Sequence, residues 1–151
     1  MSESTPSTRE VVERFLAAAL DPTGETLADL YGDPVVIEMP FAPPGFPSRT
    51  ETTNAELRAR FSGGAATRTY DKIDGVVIHE TTDPEVAIVE YSVHGKRASD
   101  GEGFVLSYVN IMTIRDGKIV HSKDHTDPIN ALRALGMLPR LLEALSKEIA
   151  G

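Results

Sequence analysis

The longest regular pattern in the chain is an alternation of apolar and polar residues from about Thr67 to Thr126. A period of two is typical of β-strands, because successive side chains point to opposite faces. The turn pair Asp83-Pro84 divides the first part of this run, and Asp116-Gly117 divides the last part. Because Asp-Gly tolerates the positive φ of a type I′ turn, it predicts a tight hairpin. We therefore predict strands over residues 76–78, 86–93, 104–114 and 119–126, with a loop over 95–103.

Helices are predicted on both sides of this run. Ser7 with Glu10, and Thr53 with Glu56, have the spacing of capping boxes, in which a side chain accepts a hydrogen bond from an early helix amide. A shorter helix is predicted over 25–31, and a strand over 35–39 that Pro40 ends. Asp-Pro at 127–128 places a cap and a first-turn proline before a helix that ends at Gly136.

This order of elements predicts an α+β domain. A long antiparallel meander curls, and helices gathered on its concave side leave a conical cavity for a small molecule. We expect a curved antiparallel sheet wrapped around the N-terminal helices. The chain has 151 residues, which suits one domain. Residues 1–6 are expected to form a disordered tail, and 137–151 a helical extension that packs on the body or on a partner.

Charge and composition exclude several classes of function. The net charge of −8 and pI near 4.9 disfavour nucleic-acid binding. The chain has no cysteine, no signal-peptide core and no run of about 18 apolar residues, so we expect a cytoplasmic protein. His121 and His125 would lie about 13 Å apart on a strand, too far to share a metal ion. We expect neither a metal nor a cofactor.

The segment PFAPPGFP at residues 40–47 is too rich in proline for regular structure and too apolar for a solvated loop. We interpret it as a stiff flap over an apolar pocket. The aromatic and aliphatic residues expected to line that pocket are Phe15, Phe41, Phe46, Leu57 and Phe61.

Hydrogen bonds to a ligand are expected from Tyr70, Tyr91, Tyr108 and Asn110. Strand alternation leaves open which face of residues 86–94 points inward. Inward placement of the face with Glu90 and His94 would add titratable groups to the pocket, whereas the face with Ala87, Val89 and Tyr91 makes a better apolar wall.

Several segments together resemble one family. VVIEMPFAPPGFP, ETTDPE, IRDGKIVHSKDH and DPINALRALGM are similar to the SnoaL-like polyketide cyclases of the ketosteroid-isomerase-like (nuclear-transport-factor-like) superfamily, and ETTDP and the LRALG ending also resemble the phenazine-biosynthesis A and B proteins. The resemblance implies a cofactor-independent acid/base enzyme of cyclase, isomerase or dehydratase type, acting on an apolar, carbonyl-bearing molecule such as a polyketide. It also implies a homodimer.

The resemblance implies a catalytic role for Asp124, which matches an acidic residue of the last strand in those relatives. Alternation places Asp124 on one face with Ser122 and Thr126, so it faces either an apolar cavity or a solvated surface with a basic partner. Ketosteroid isomerases carry an aspartate immediately before a proline, whereas this chain has Glu38-Met39-Pro40. Glu38 is therefore only a candidate ligand contact.

Two other functions stay open. One is a non-catalytic small-molecule binder or assembly module, because only Asp124 is a confident catalytic candidate. The other is an epoxide hydrolase, which would need two carboxylates and an arginine around one water. Arg60 is expected to be a surface residue paired with Glu56, four positions earlier on the same helix.

Overall fold

The computed structural model describes residues 4–151, and one six-stranded sheet dominates it. The strands are β1 (Tyr31–Glu38), β2 (Arg49–Thr52), β3 (Arg68–Glu80), β4 (Val86–Arg97), β5 (Gly103–Arg115) and β6 (Lys118–Thr126). Their order is β2-β1-β6-β5-β4-β3, and the sheet stays open. All neighbours are antiparallel except β1 and β6, which are parallel. The predicted α+β class with a meander of β3 to β6 is confirmed.

The helices are α1 (Thr8–Ala18), α2 (Glu25–Ala28), α3 (Asn54–Gly64), α4 (Pro128–Ala134) and α5 (Leu138–Ala150). The side chains of Ser7 and Thr53 each accept a hydrogen bond from the amide three residues later, as predicted. Asp127 accepts hydrogen bonds from two amides at the start of α4. These caps satisfy amides that have no partner within the helix. The predicted tail includes residues 1–3, which lie outside the described part of the chain.

Three boundaries differ from the sequence prediction. Strand β2 was not predicted; it follows the flap and pairs with β1. Helix α2 ends at Ala28, and Tyr31 already begins β1. Strand β4 continues to Arg97, into the first three residues of the region 95–103 that was predicted as a loop. Gly95 permits this extension because it has no side chain. A Cβ at this position would clash with the Thr69 carbonyl oxygen on the neighbouring strand, at a distance of 2.4 Å.

The inner face of the sheet packs on α1 and forms the core. On β4 the buried residues alternate from Ala87 through Val89 and Tyr91 to Val93. From α1, Val11, Val12 and Phe15 join Ala87, Val89 and Tyr91 in one hydrophobic cluster, and Val93 belongs to a second one. Burial of an aliphatic or aromatic side chain of this size contributes about 1.5–3 kcal/mol, so this cluster fixes which face of every strand points inward.

The outer face of the sheet carries histidine–carboxylate pairs. Glu90 and His94 lie on it, so they do not add titratable groups to the interior. The Nε2 atom of His79 lies 2.5 Å from Glu90 Oε2, and that of His94 lies 3.0 Å from Asp74 Oδ1. The hairpin between β5 and β6 has positive φ at Asp116 and Gly117, which confirms the predicted type I′ turn.

Candidate functional site

A cavity of about 310 Å³ lies among the inner face of the sheet, the flap of residues 40–47 and the two C-terminal helices. From the sheet its wall receives Ile37, Thr50, Tyr108, Asp124 and Thr126. From the flap and the residue before it come Met39, Phe41, Ala42, Pro43, Phe46 and Pro47. From α4 and α5 and the turn between them come Pro128, Ala131, Leu132, Leu135, Met137 and Arg140, and α3 contributes Arg60.

The flap is held against α5 by Arg140. Its guanidinium lies 4.1 Å from the centroid of the Phe46 ring, and its Nη2 donates a 2.9 Å hydrogen bond to the carbonyl oxygen of Gly45. Gly45 has a φ of 85°, in the left-handed region that glycine tolerates best. The proline-rich segment is therefore an ordered wall of the cavity.

Asp124 projects from β6 into this cavity. Its Oδ1 accepts a 2.5 Å hydrogen bond from the Ser122 hydroxyl, and Ser122 is only 1% exposed. Burial raises the pKa of the Asp124 carboxyl, while the Ser122 hydrogen bond and the charges of His125 and His121 act in the opposite direction. Desolvation is the largest of these effects, because a carboxylate among apolar side chains loses its hydration. The residue is thus closer to the range useful for proton transfer at neutral pH.

Two tyrosines and an asparagine lie beside Asp124 on the inner face. The rings of Tyr91 and Tyr108 stack with centroids 5.3 Å apart, and burial raises the pKa of both phenols. They therefore stay protonated and can donate hydrogen bonds. Asn110 is directly opposite Asp124 in the strand register and donates a 3.2 Å hydrogen bond to the Tyr91 hydroxyl. Within residues 4–151, no group bonds to the buried Oδ1 atom of Asn110.

The structure brings four of the predicted site residues to this cavity: Phe41, Phe46, Tyr108 and Asp124. Four others are packed in the interior next to it: Phe15, Leu57, Tyr91 and Asn110. Phe61 and Tyr70 instead line a separate cavity of about 70 Å³ with Arg68. The sequence could not separate these groups, because a buried phenylalanine in a core and one in a pocket wall have the same periodicity.

Glu38 is a correction to the sequence prediction. It points to the outer face of the sheet, where its Oε2 lies 2.5 Å from Nε2 of His121. That hydrogen bond lowers the pKa of the Glu38 carboxyl. One step along a strand reverses the direction of a side chain, so Glu38 and Ile37 lie on opposite sides and only Ile37 reaches the cavity.

Arg60 is a second correction. The predicted ion pair with Glu56 is not formed, and Glu56 accepts a 2.7 Å hydrogen bond from Thr52 Oγ1 instead. Although Arg60 is exposed, it lines the cavity. Sequence analysis also missed Thr126 and Arg140. The face that Thr126 shares with Asp124 could have identified Thr126, whereas no local pattern indicates where α5 docks.

Residues 4–151 contain no group of three or more histidine, aspartate or glutamate side chains arranged to hold a metal ion. Within the same range no helix has the length and apolar character needed to cross a membrane. The polar side chains that line the cavity are those of Asp124, Arg60, Arg140, Tyr108, Thr50 and Thr126.

Residues 12–122 match the family model of the SnoaL-like domain. The match ends two residues before Asp124, so it carries no information about that side chain. An uncharacterised PhzA/B-like protein of Pseudomonas aeruginosa is 33% identical over 126 residues, which cover 82% of this chain and 83% of that protein.

Two solved structures share the fold. One, from Bacillus subtilis and provisionally described as an isomerase, has a TM-score of 0.77 at 24% identity. The match covers 86% of this chain and 93% of the Bacillus subtilis chain. Another, from Pseudomonas putida and provisionally described as a polyketide cyclase, has a TM-score of 0.71 at 17% identity, with coverage of 86% and 98%. Identities this low establish the fold alone.

Proposed function

Since the chain belongs to the SnoaL-like family, we propose that it is an acid/base enzyme acting without a cofactor on an apolar, carbonyl-bearing small molecule, such as a polyketide or another secondary metabolite. The reaction class is a cyclisation, isomerisation or dehydration of the kind that begins with removal of a proton next to a carbonyl. The observation that carries the proposal is the single carboxyl of Asp124, which lies in the wall of a largely apolar cavity. The descriptions of the structural relatives as a cyclase and an isomerase are compatible with this class.

In the proposed mechanism the Asp124 carboxylate accepts the proton from the carbon next to the carbonyl. The C–H electron pair becomes the C=C bond of an enolate, and the carbonyl electron pair moves to oxygen. The Tyr108 phenol donates a hydrogen bond to that oxygen. Protonated Asp124 then returns the proton to the substrate or to a leaving hydroxyl. General acid–base assistance of this kind contributes about 10²–10⁴-fold in rate.

Asn110 supports the protonated form of Asp124 in this proposal. Its Oδ1 is a buried acceptor without a partner in residues 4–151, and its strand position is directly opposite Asp124. A neutral carboxylic acid has a hydroxyl to donate, whereas a carboxylate has none. The Asn110 acceptor therefore stabilises the acid after it has taken the substrate proton.

One observation favours a second function, a non-catalytic binder. Among the residues that line the cavity in the described part of the chain, Asp124 is the only carboxyl, and no histidine accompanies it. The same observation argues against an epoxide hydrolase, which needs two carboxylates around one water.

Proton abstraction can be tested without the natural substrate. The bicyclic ketone 2-tetralone is incubated with the protein in D₂O, and deuterium uptake at its α-carbons is followed by proton NMR. We expect catalysed exchange above the buffer rate, and we expect Asp124→Asn to reduce it to that rate. Glu38→Gln is the matched control, because it neutralises a carboxylate on the opposite face of the same sheet. Equal exchange by the wild type and Asp124→Asn would refute the role of Asp124, and buffer-rate exchange by the wild type would favour the binder.

The proposal also covers assembly and location. Each chain, as a single SnoaL-like domain of residues 1–151, would pair with a second copy through the outer sheet face, where Val77, Val105 and Val109 are each more than 40% exposed. Light scattering should show a dimer that Val109→Lys disrupts and Leu142→Lys, on α5, does not. A monomeric wild type would contradict this.

A cytoplasmic location, expected from the cysteine-free composition, can be checked by cell fractionation.

A further inference from the structure

The cavity has a charge opposite to that of the whole protein. The chain carries a net charge of −8, yet the charged residues that line the cavity are two arginines, Arg60 and Arg140, and one carboxyl, that of Asp124. Guanidinium groups are always protonated near neutral pH. An apolar hollow with two fixed cations favours a guest that is itself partly anionic.

Arg60 has no acidic partner in residues 4–151. Glu56, the nearest carboxylate along α3, is bonded to Thr52, and no other acidic side chain lies within 4 Å of the Arg60 guanidinium. Within residues 4–151, four arginines outside the cavity pair with a carboxylate, for example Arg58 at 2.6 Å from Asp29 and Arg97 at 2.7 Å from Asp100, whereas the others, like Arg60, do not. Arg60 is thus a cation at the cavity whose hydrogen-bonding capacity is not used by a carboxylate of the described chain.

Arg140 is held in place but not neutralised. Its contacts are the face of the Phe46 ring and the carbonyl oxygen of Gly45, and neither carries a formal charge. One hydrogen bond occupies one of the five N–H groups of a guanidinium. The flap therefore orients this cation at the cavity wall, which lowers the entropy cost of using it to bind a ligand.

We propose that the ligand of this cavity carries a carboxylate, which Arg60 and Arg140 bind, in addition to the apolar, carbonyl-bearing part that reaches Asp124. This rests on the proposed function for the part near Asp124, but the anion-binding end stands on the two arginines alone. A planar guanidinium fork matches the two oxygens of a carboxylate. The substrate class narrows from apolar ketones and esters to apolar keto acids or other carbonyl-bearing carboxylic acids.

The test uses two probes of nearly equal shape, 2-naphthoate and 2-naphthamide. The naphthoate carries a carboxylate, whereas the naphthamide carries a neutral carboxamide on the same ring system. The ratio of their affinities therefore measures recognition of the charge separately from burial of the apolar rings. Isothermal titration calorimetry of the wild-type protein at pH 7.5 should give at least tenfold tighter binding of the naphthoate. Because exposed charges are screened, this preference should weaken between 50 and 500 mM NaCl.

Variants locate the effect. Arg60→Gln and Arg140→Gln should each weaken naphthoate binding about tenfold while leaving naphthamide binding within twofold. Arg140→Lys keeps the positive charge but removes the guanidinium that contacts Phe46, and it should bind naphthoate more tightly than Arg140→Gln, which separates charge loss from flap disorder. Arg14→Gln removes an exposed arginine of α1 away from this cavity and should change neither affinity. Circular dichroism confirms that each variant is folded.

Failure of this inference is distinguishable from failure of the proposed function. Equal affinity for the two probes, or a naphthoate preference that survives both arginine substitutions, overturns carboxylate recognition and leaves the role of Asp124 untouched. Asp124→Asn should retain the naphthoate preference even if the deuterium-exchange experiment shows that Asp124 moves no proton. Binding of neither probe overturns the inference, because the cavity would then not accept an apolar carboxylate.

Discussion

The two faces of β6 carry ionisable side chains in opposite environments. On the outer face the carboxylate of Glu38, from the neighbouring strand, meets His121, and the hydrogen bond between them lowers the pKa of Glu38. On the inner face Asp124 accepts a hydrogen bond from the Ser122 hydroxyl, and burial raises the pKa of Asp124. The same sheet therefore lowers the pKa of one carboxyl and raises the pKa of another.

This difference shows that the partner and the solvent, more than the residue type, decide what a carboxyl can do. Asp74 on the outer face is likewise bonded to His94, which lowers its pKa. A carboxylate with a cationic partner is poorly suited to exchange protons near pH 7, because its charged form is already stabilised. Among residues 4–151 no basic side chain forms a salt bridge within 4 Å with Asp124, and this distinguishes Asp124 from Glu38 and Asp74 as the candidate acid/base.

The largest expected contrast between the faces is in packing. Met112 is fully buried on the inner face of β5, and Val109 is 41% exposed on the outer face. Met112→Ala should lower the free energy of unfolding by about 2–5 kcal/mol, whereas Val109→Ala should cost less than about 1 kcal/mol. Urea denaturation of both variants, at protein concentrations low enough for the chain to be monomeric, measures the difference. Similar losses in the monomer would contradict the exposure of Val109 in the single chain.

The next effect is the pH dependence of stability at Asp124. The pKa of Asp124 is raised in the folded state. Its contribution to the free energy of unfolding is therefore fully present below about pH 3.8, and it is lost as the pH rises through the pKa of the folded state. An asparagine does not ionise, so the Asp124→Asn variant does not lose this stability as the pH rises. Its amide oxygen can still accept the hydrogen bond from the Ser122 hydroxyl. The variant should therefore melt at a higher temperature than the wild type at pH 8, and the gap should shrink toward pH 4. A gap that is independent of pH would contradict a raised pKa.

A smaller effect is expected from the hydrogen bond between Ser122 and Asp124. Ser122→Ala removes a donor that stabilises the carboxylate, so the pKa of Asp124 should rise further. Carbon-13 NMR of the side-chain carboxyls gives this value directly. Ser92→Ala is the control, since Ser92 bonds to Ser107 on the outer face. A wild-type Asp124 pKa near 3.8, or a fall in Ser122→Ala, would overturn this account of the site.

The smallest effect should come from Glu38, with the opposite sign to Asp124. Because the pKa of Glu38 is lowered in the folded state, its contribution to the free energy of unfolding is present above about pH 4.5. It is lost as the pH falls through the pKa of the folded state. Glu38→Gln should therefore melt slightly below the wild type at pH 6, and the two should converge near pH 3. Thermal unfolding followed by circular dichroism tests this, and a gap that widens toward low pH would refute it.

Much of the fold could be predicted because its signals are local. The Ser7 and Thr53 caps, the Asp116-Gly117 hairpin and the alternation that puts Asp124 on one face with Ser122 depend on neighbours within a few residues. The missed strand β2 has only four residues, too few for a clear pattern of alternation. Its pairing with β1 across the flap is a contact between separate segments.

The site was predicted less completely for the same reason. Phe41, Phe46 and Asp124 were identified from an unusual proline-rich segment and from a family resemblance. Helical spacing suggested a surface pair of Arg60 with Glu56, whereas Glu56 accepts a hydrogen bond from Thr52 and the exposed Arg60 lies at the cavity, which only the packing of α3 against other elements determines. Arg140 could not be identified, because its role depends on where α5 packs against the flap.

Short-range sterics and hydrogen bonds set the class of fold, the helix starts, the β5–β6 hairpin and the shared face of Asp124, so these could be predicted from the residues alone. The position of this face at a cavity, the direction of Glu38 away from it and the two arginines at its wall became visible only in the packed fold. Those facts depend on the docking of elements far apart in the chain, which is governed by burial and desolvation of whole faces rather than by local spacing.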